Sequence, residues 1–238
     1  MDKNIKMKKL FSNLQLHFFT DNSDLPATSA VIKEVMSNLD SFDLMPTFGN
    51  EFVQQTNETR KFVCMVTSDE TFKVQFLSND IFISAENYDL ESFVTRSLQI
   101  LDSLSKLYSQ KRASRISILS TEAFESSISF YDSVFSKLFV DDSSIPFEWD
   151  NRVVRKIQSF EQLNSVEVVT RVLVQPPMRS IRKAAVDALV FDFDVNTEFE
   201  NQNERFSLQN VKTEYQCILK VLMESQKAKF ERIDIQNE

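Results

Sequence analysis

The chain of 238 residues is 42% hydrophobic and 26% charged, which is typical of a globular protein with a sizeable core in one large domain or two small ones. Its 27 Lys and Arg and 35 Asp and Glu give a net charge of −8, which disfavours tight non-specific binding to nucleic acid or to an acidic membrane surface. Because Gly49 is the only glycine, glycine-rich phosphate loops, dinucleotide fingerprints and nucleophile elbows are excluded.

The first quarter of the chain is predicted to form a strand, a helix and a loop. Apolar residues alternate with polar ones over residues 14–20, which indicates a strand. After Pro26, whose fixed φ suits a first helical turn, apolar residues recur at helical spacing as far as Leu39. The segment 43–49 contains Pro46 and is predicted to be a loop.

Four short strands and a long helix are predicted to complete the first half. Polar turns separate the four strands, which cover residues 51–58, 60–67, 71–77 and 80–85. In the third strand Phe72, Val74 and Phe76 alternate with polar residues, so one face of the sheet is predicted to be buried and the other hydrated. An amphipathic helix over residues 88–108, with Asn87 as its N-cap, is expected to cover the buried face.

The second half is predicted to repeat this order. A strand is expected over residues 115–120, a helix over 123–139 and a polar loop over 141–144. Segments rich in Val, Phe and Ile then predict three strands, over residues 147–157, 165–173 and 184–196, with Pro176 and Pro177 in the turn that follows the second. The closing helix is predicted over residues 206–230.

This order of elements predicts an α+β fold in which antiparallel sheets carry helices on one face. Each half consists of a strand, a helix, three or four strands and a helix. The halves are predicted to span residues 1–110 and 111–238 and to pack as one structural unit. The layout resembles the TATA-box-binding-protein-like fold, whose open sheet can dock DNA or another partner. The resemblance implies a similar docking surface here, while the acidic balance argues against DNA.

Two carboxylates on the last predicted strand form the first candidate site. Alternation places Asp192 and Asp194 on the same face of that strand. Such a pair can bind a divalent ion or act as an acid and a base. The nearby acidic residues that could complete a metal site are Asp187, Glu198 and Glu200. The alternative, which we favour, is the hydrated face of a half-exposed strand.

A locally basic segment over residues 152–183 forms the second candidate site. Its cationic residues are Arg152, Arg155, Lys156, Arg171, Arg179, Arg182 and Lys183. Arginine can hold a phosphate or a nucleic-acid backbone through bidentate hydrogen bonds. Neither a glycine-rich loop nor interleaved exposed aromatic residues accompany the segment, so we favour ion pairing with the surplus acids of the chain. An acidic protein partner is a further alternative.

Four single residues carry weaker signals. Trp149 either anchors a partner or packs in the core, and the lone His17 is more often a packed or surface residue than a catalyst. Cys64 and Cys217 lie too far apart for a zinc or redox motif and are interpreted as small core residues.

No cofactor is expected. Because no segment has the pattern of a signal peptide or a membrane span, the predicted compartment is the cytoplasm.

Two parts of the chain resemble a sporadically distributed, functionally uncharacterised bacterial protein family. The first comprises residues 74–84, residues 88–93 and the long helix before the strand at Arg115, and the second comprises the acidic strand 189–195 and the closing helix. The chain lacks the aromatic residue that the family usually has within residues 88–93. The resemblance implies a bacterial origin and a mobile-element-like distribution, which is compatible with antiviral defence or toxin–antitoxin operons. It brings no activity with it.

The residues leave three functional hypotheses open. The first is a non-enzymatic protein-interaction module that binds its partner stoichiometrically, for example by masking a basic, nucleic-acid-handling protein. The second is a nucleic-acid or nucleotide binder that uses the basic segment 152–183. The third is a metal-dependent hydrolase built on Asp192 and Asp194. They are given in decreasing order of weight. The third ranks last because its remaining metal ligands cannot be named.

Overall fold

The computed structural model describes residues 7–53, 57–139, 144–175 and 184–234 and has an α+β fold. The first half comprises β1 (Lys8–Phe19), α1 (Ser29–Asn38), a 3-10 turn (Asp40–Phe42), β2 (Met45–Val53), β3 (Glu58–Val66), β4 (Phe72–Leu77), β5 (Asp80–Glu86) and α2 (Leu90–Leu107). The second half comprises β6 (Arg112–Ala113), β7 (Arg115–Glu125), α3 (Ile128–Leu138), β8 (Trp149–Gln158), β9 (Gln162–Val174), β10 (Val186–Thr197), β11 (Phe206–Ser207) and α4 (Lys212–Arg232). None of the helices in these ranges is both long enough and apolar enough to cross a membrane.

Nine strands form one antiparallel sheet in the order β2-β3-β4-β5-β1-β7-β10-β9-β8, and β6 pairs with β11 in a separate two-stranded sheet. In each half the successive strands turn back until the last one pairs with the first strand of that half. The two first strands, β1 and β7, pair with each other, with Leu16 opposite Ile118. The predicted order of elements is confirmed, with four strands of the large sheet after α1 and three after α3, besides the short β6 and β11. The predicted boundary between residues 110 and 111 stays a prediction.

The four helices in the described ranges cover the same face of the sheet, as the sequence predicts. Alternation along β1 turns Leu14, Leu16 and Phe18 towards the helices, where these side chains are almost fully buried. Burying a side chain of this size stabilises the fold by roughly 1.5–3 kcal/mol. The helices contribute buried residues to this core that include Val35, Phe93, Ile100, Tyr131, Val134, Tyr215, Ile218 and Leu222. The opposite face carries no helix in the described part of the chain.

The predicted loop over residues 43–49 is wrong, because β2 runs from Met45 to Val53. As an edge strand with a neighbour on one side only, β2 tolerates Pro46, which has no N–H to donate. Gly49 is required because the ring of Phe62 on β3 lies directly over it. A Cβ atom at position 49 would approach that ring to 2.0 Å.

Three element ends also differ from the prediction. Residues 123–125 belong to β7 rather than to α3, because they continue its pairing with β1 and β10. The N-cap of α2 is Asp89, whose side chain accepts from the backbone N–H of Ser92 at 2.8 Å. The predicted cap, Asn87, has a left-handed φ of 57° and accepts from the N–H of Ser12 instead. Phe206 starts β11 rather than the closing helix, which begins at Lys212.

A buried ion pair connects α4 to the sheet. Lys229 on α4 and Glu167 on β9 are 2% and 4% exposed, and Lys229 Nζ lies 3.0 Å from Glu167 Oε2. Arg155 on β8 forms a second ion pair with Glu167. Burying both charges costs desolvation energy, which the attraction between them offsets. Removing one partner ends this compensation and leaves the other charge unpaired in a medium of low dielectric constant.

We therefore expect Glu167→Gln to lower the free energy of unfolding by about 3–5 kcal/mol, the usual cost of breaking a buried pair. Urea unfolding measures the change. The matched control is Glu224→Gln, which removes an exposed partner of Lys220 on the same helix and should change stability by less than about 0.5 kcal/mol. Equal effects of the two variants would contradict a stabilising role for the buried pair.

Candidate binding surface on the open sheet face

The face of the sheet opposite the helices, hereafter the open face, is built from alternate residues of all nine strands. The register of the strands fixes which residues these are, because side chains one position apart point to opposite faces. Its central residues are Phe82, Asp80, His17, Phe19, Arg115, Ser117, Leu119, Asp192, Asp194, Asn196, Val166 and Val168. The centre of the open face is therefore a mixture of aromatic, aliphatic and ionisable side chains.

His17 and Asp80 form a polar pair at the centre of the open face. His17 Nδ1 lies 2.6 Å from Asp80 Oδ2, and the imidazole stacks on the rings of Phe82 and Phe19 at centroid distances of 4.7 and 5.3 Å. Burial raises the pKa of the Asp80 carboxyl, whereas its hydrogen bond with His17 and the charge of His17 lower it. The hydroxyl of Tyr215 on α4 donates to the His17 carbonyl from the other side at 2.7 Å. The pair is thus held firmly by both layers of the fold.

Arg115 extends this aromatic row onto β7. Its guanidinium carbon lies 4.9 Å from the centroid of the Phe19 ring and 5.9 Å from that of Phe199. The positive charge of Arg115 lowers the pKa of two buried carboxyls, those of Asp80 and Asp194, although burial, which raises both, is the larger effect. Arg115 Nε has no hydrogen-bond partner among the described residues.

Asp194 on β10 is a desolvated carboxylate with one unused acceptor atom. Its Oδ2 accepts from Asn196 Nδ2 at 2.9 Å, while its buried Oδ1 has no partner in the described ranges. The residues opposite it on β7 and β9 are the apolar Leu119 and Val166. Burial therefore raises the pKa of Asp194, and the hydrogen bond from Asn196 only partly opposes this. Asp192 differs, because Oγ1 of Thr121 donates to it at 2.5 Å.

The predicted metal site lacks further ligands. Alternation puts Asp192 and Asp194 on the open face, but Asp187 has the opposite parity and pairs with Arg171 on the helix side. Glu198 forms an ion pair with Lys156 at 3.0 Å, and Glu200 is exposed beyond the end of β10. Over the residues described, no three His, Cys, Asp or Glu side chains are grouped so that they could hold a metal ion.

Those basic residues of the second candidate site that the structure describes do not form one patch. Arg171 is 4% exposed and lies 3.0 Å from Asp187 and 3.5 Å from Asp132, between the rings of Tyr131 and Phe147. Arg155 also faces the helix side, where it pairs with Glu167. Arg152 is exposed on the open face. Arg179, Arg182 and Lys183 lie outside the described residues. The described part of the segment thus supports the favoured interpretation, ion pairing within the chain.

Trp149 is buried and does not serve as an exposed anchor. It is 8% exposed and packs edge-on against Phe135 and Phe139 at centroid distances of 5.8 and 5.6 Å. Asp80 and Arg115, in contrast, were not singled out from the sequence. Their places at the start of a strand gave no signal, and only the pairing of β1 with β5 and β7 brings them beside His17 and Phe19.

The chain matches no protein-family model and no curated protein sequence. Its structural class is therefore defined by its fold and by the composition of its open face. It is an α+β protein with a single nine-stranded antiparallel sheet, helices on one face, and a mixed polar and apolar open face on the other.

We expect Asp194→Asn to raise the midpoint of urea unfolding at pH 7. Because the pKa of Asp194 is higher in the folded than in the unfolded chain, the folding advantage of this group exists at acidic pH and is lost as the pH rises through its folded pKa. Asparagine removes that loss, so the gain should shrink as the pH falls below the ordinary carboxyl value of 3.8.

The control for this measurement is Asp102→Asn, which removes an exposed negative charge from α2. It sets the baseline for lowering the net charge alone. A lower midpoint for Asp194→Asn than for the unmodified protein at pH 7 would contradict the interpretation of Asp194 as a destabilising carboxylate.

Proposed function

We propose that this chain is a non-enzymatic protein-interaction module that binds a basic segment of a partner protein on its open face. The observation that supports this is Asp194, whose buried Oδ1 has no partner within the described ranges and lies on a face that no described helix covers. A buried acceptor without a hydrogen bond is unfavourable, and a cationic side chain of a partner would satisfy it.

The surroundings of Asp194 suit a lysine or arginine side chain. Leu119 and Val166 flank the carboxylate on the two neighbouring strands, so they can contact an aliphatic stem while the charged end reaches Asp194. The net charge of −8 attracts a basic partner at long range and speeds the encounter. Asp80 also has a buried Oδ1 without a partner among the described residues, but Asp80 is only 7% exposed whereas Asp194 is half-buried, so Asp80 is less accessible to a partner.

The open face is large enough for a specific protein interface. Nine strands spaced about 4.8 Å apart span roughly 40 Å, and six residues of each strand extend about 20 Å. The resulting area of roughly 800 Å² equals what one partner contributes to an interface of standard size. The face also combines aromatic and aliphatic residues with polar ones, which is the composition of non-obligate interfaces.

Nucleic-acid binding is less well supported as a function of this face. Arg152 and Lys156 are exposed on its β8 side, but Lys156 already pairs with Glu198, and the central β10 strand presents Asp192 and Asp194. A phosphate backbone crossing the sheet would meet these carboxylates.

The cellular setting of the proposal follows from the resemblances of the sequence. The layout of the TATA-box-binding-protein-like fold suggests an open sheet as a docking surface, and the likeness to a sporadic bacterial family suggests a role in antiviral defence or a toxin–antitoxin operon. Cys64 and Cys217 are free thiols, which suits the reducing cytoplasm. A basic, nucleic-acid-handling protein encoded nearby is a partner that fits both this setting and the open face.

The proposal predicts that Asp194→Asn loses the partner while remaining folded. Tagged protein is recovered from the native host, partner proteins are identified by mass spectrometry, and their affinity is measured by calorimetry. We expect a stoichiometric basic protein that binds at least tenfold more weakly to Asp194→Asn, since a tenfold change requires only about 1.4 kcal/mol. Asp102→Asn, on the helix side, should bind like the unmodified protein.

Two outcomes would contradict the proposal. One is a partner that binds Asp194→Asn and the unmodified protein equally well, because the interface would then lie elsewhere. The other is recovery of nuclease-sensitive nucleic acid without a protein partner, with an affinity that falls steeply with salt concentration.

A further inference from the structure

The two edges of the sheet differ in how they are protected. An edge strand exposes unpaired N–H and C=O groups that can pair with another chain, and charged side chains usually prevent this. The β8 edge has such protection, since it carries Asp150, Arg152, Arg155 and Lys156. The β2 edge has one charged residue, Glu51, and one residue without a donor, Pro46, next to its first residue. The β2 edge is therefore the one open to strand addition.

The single charge on β2 is already engaged. Glu51 Oε1 accepts a hydrogen bond from the backbone N–H of Ser78 at 2.7 Å and another from the Ser78 hydroxyl. The edge thus offers no free carboxylate to a basic partner. A chain of net charge −8 repels its own copies in general, but this strand is a place where two copies can meet without opposing free charges.

Large apolar side chains are exposed along the same strand. Phe48 and Phe52 are 55% and 59% exposed, and Met45 is 51% exposed. Phe48 lies opposite the buried Val63 of β3 and so points to the helix side, but no described helix covers it. Strand addition would bury these exposed phenylalanines on an edge whose one charge, Glu51, is already bonded to Ser78.

We propose that β2 pairs antiparallel with β2 of a second copy of this chain, about a twofold axis at Gly49, to form a homodimer with a continuous sheet. In this register Met45 lies opposite Val53 of the second copy, Phe52 opposite Pro46, and Phe48 opposite Asn50. Because Pro46 has no N–H, each Phe52–Pro46 pair lacks one hydrogen bond, and the pairs between them form the ladder. Phe48 is then diagonal to Phe52 of the second copy, within reach of an aromatic side chain, so four phenylalanines form one cluster. Glu51 lies opposite Thr47, and no like charges face each other.

The dimer leaves the open face of each copy free, so it is independent of the function proposed above. An isologous contact of this kind closes on itself, because each β2 edge is used once and the remaining β8 edges carry charges. The sequence of β2 therefore specifies a dimer and not a filament.

Sedimentation equilibrium over a wide range of protein concentration tests the dimer. We expect the unmodified protein to change from 27.7 kDa towards twice that mass as its concentration rises. Phe48→Lys should remain at 27.7 kDa, because two lysines then approach each other across the axis. Val154→Lys places the same residue at a similarly exposed position on the β8 edge and should dimerise normally.

Hydrogen exchange gives a second readout that does not depend on a variant. Backbone amides of β2 should exchange more slowly at concentrations where the dimer forms, while those of β8 should not change. A mass of 27.7 kDa for the unmodified protein at every concentration would overturn the proposal. So would a dimer that persists in both Phe48→Lys and Phe52→Lys, or one that Val154→Lys dissociates equally well.

Discussion

The antiparallel pairing of β1 with β7 is the constraint on which the rest of the structure depends. Each half of the chain returns to its own first strand, so separation of the halves would leave β1 and β7 as long open edges. Their pairing removes both edges and fixes the parity of the whole sheet. A slip of β1 by one residue against β7 would turn Leu16 to the open face and His17 to the helices. The helical core and the open face are two results of the same register.

That register also gives the two buried carboxylates of the open face different surroundings. Asp80 has one oxygen bonded to the His17 imidazole, which stacks on the ring of Phe82, while its buried Oδ1 has no partner among the described residues. Asp194 has only a neighbouring amide for one oxygen and two aliphatic neighbours for the rest. Both carboxylates therefore carry a desolvation cost in the isolated chain, but Asp80 is the more deeply buried of the two and shares its site with a stacked imidazole.

The spacing of apolar residues predicted those parts of the fold that depend on residues close together in the sequence. Alternation identified β4 and β10 and which of their side chains are buried, and apolar spacing identified the buried sides of α2 and α4. The same reasoning failed for β2, because Pro46 and Gly49 usually indicate a loop. Pro46 is accepted because β2 is an edge strand, and Gly49 is needed because the ring of Phe62 lies over it. The sequence pattern also placed the cap of α2 at Asn87, since the side chains of Asn87 and Asp89 both suit that role and only tertiary contacts decide between them.

The candidate site was less predictable for the same reason. Alternation along β10 was enough to put Asp192 and Asp194 together, but His17 and Asp80 are 63 positions apart and meet only through strand pairing. Arg171 looked like a surface cation because its partners, Asp132 on α3 and Asp187 on β10, come from two other elements. Trp149 was ambiguous until the position of the α3 aromatics was known. Each of these outcomes depends on contacts between distant segments, which composition and spacing do not contain.

The central position of β1 also affects how the protein is made. The ribosome synthesises β1 before its neighbours, yet β5 supplies its first partner residues at Asp80–Glu86 and β7 supplies the second at Arg115–Glu125. While the nascent chain ends before β7, a completed first half has an unpaired strand at each side. The growing polypeptide therefore passes through a stage that is prone to aggregation, and it leaves this stage only when translation has delivered β7.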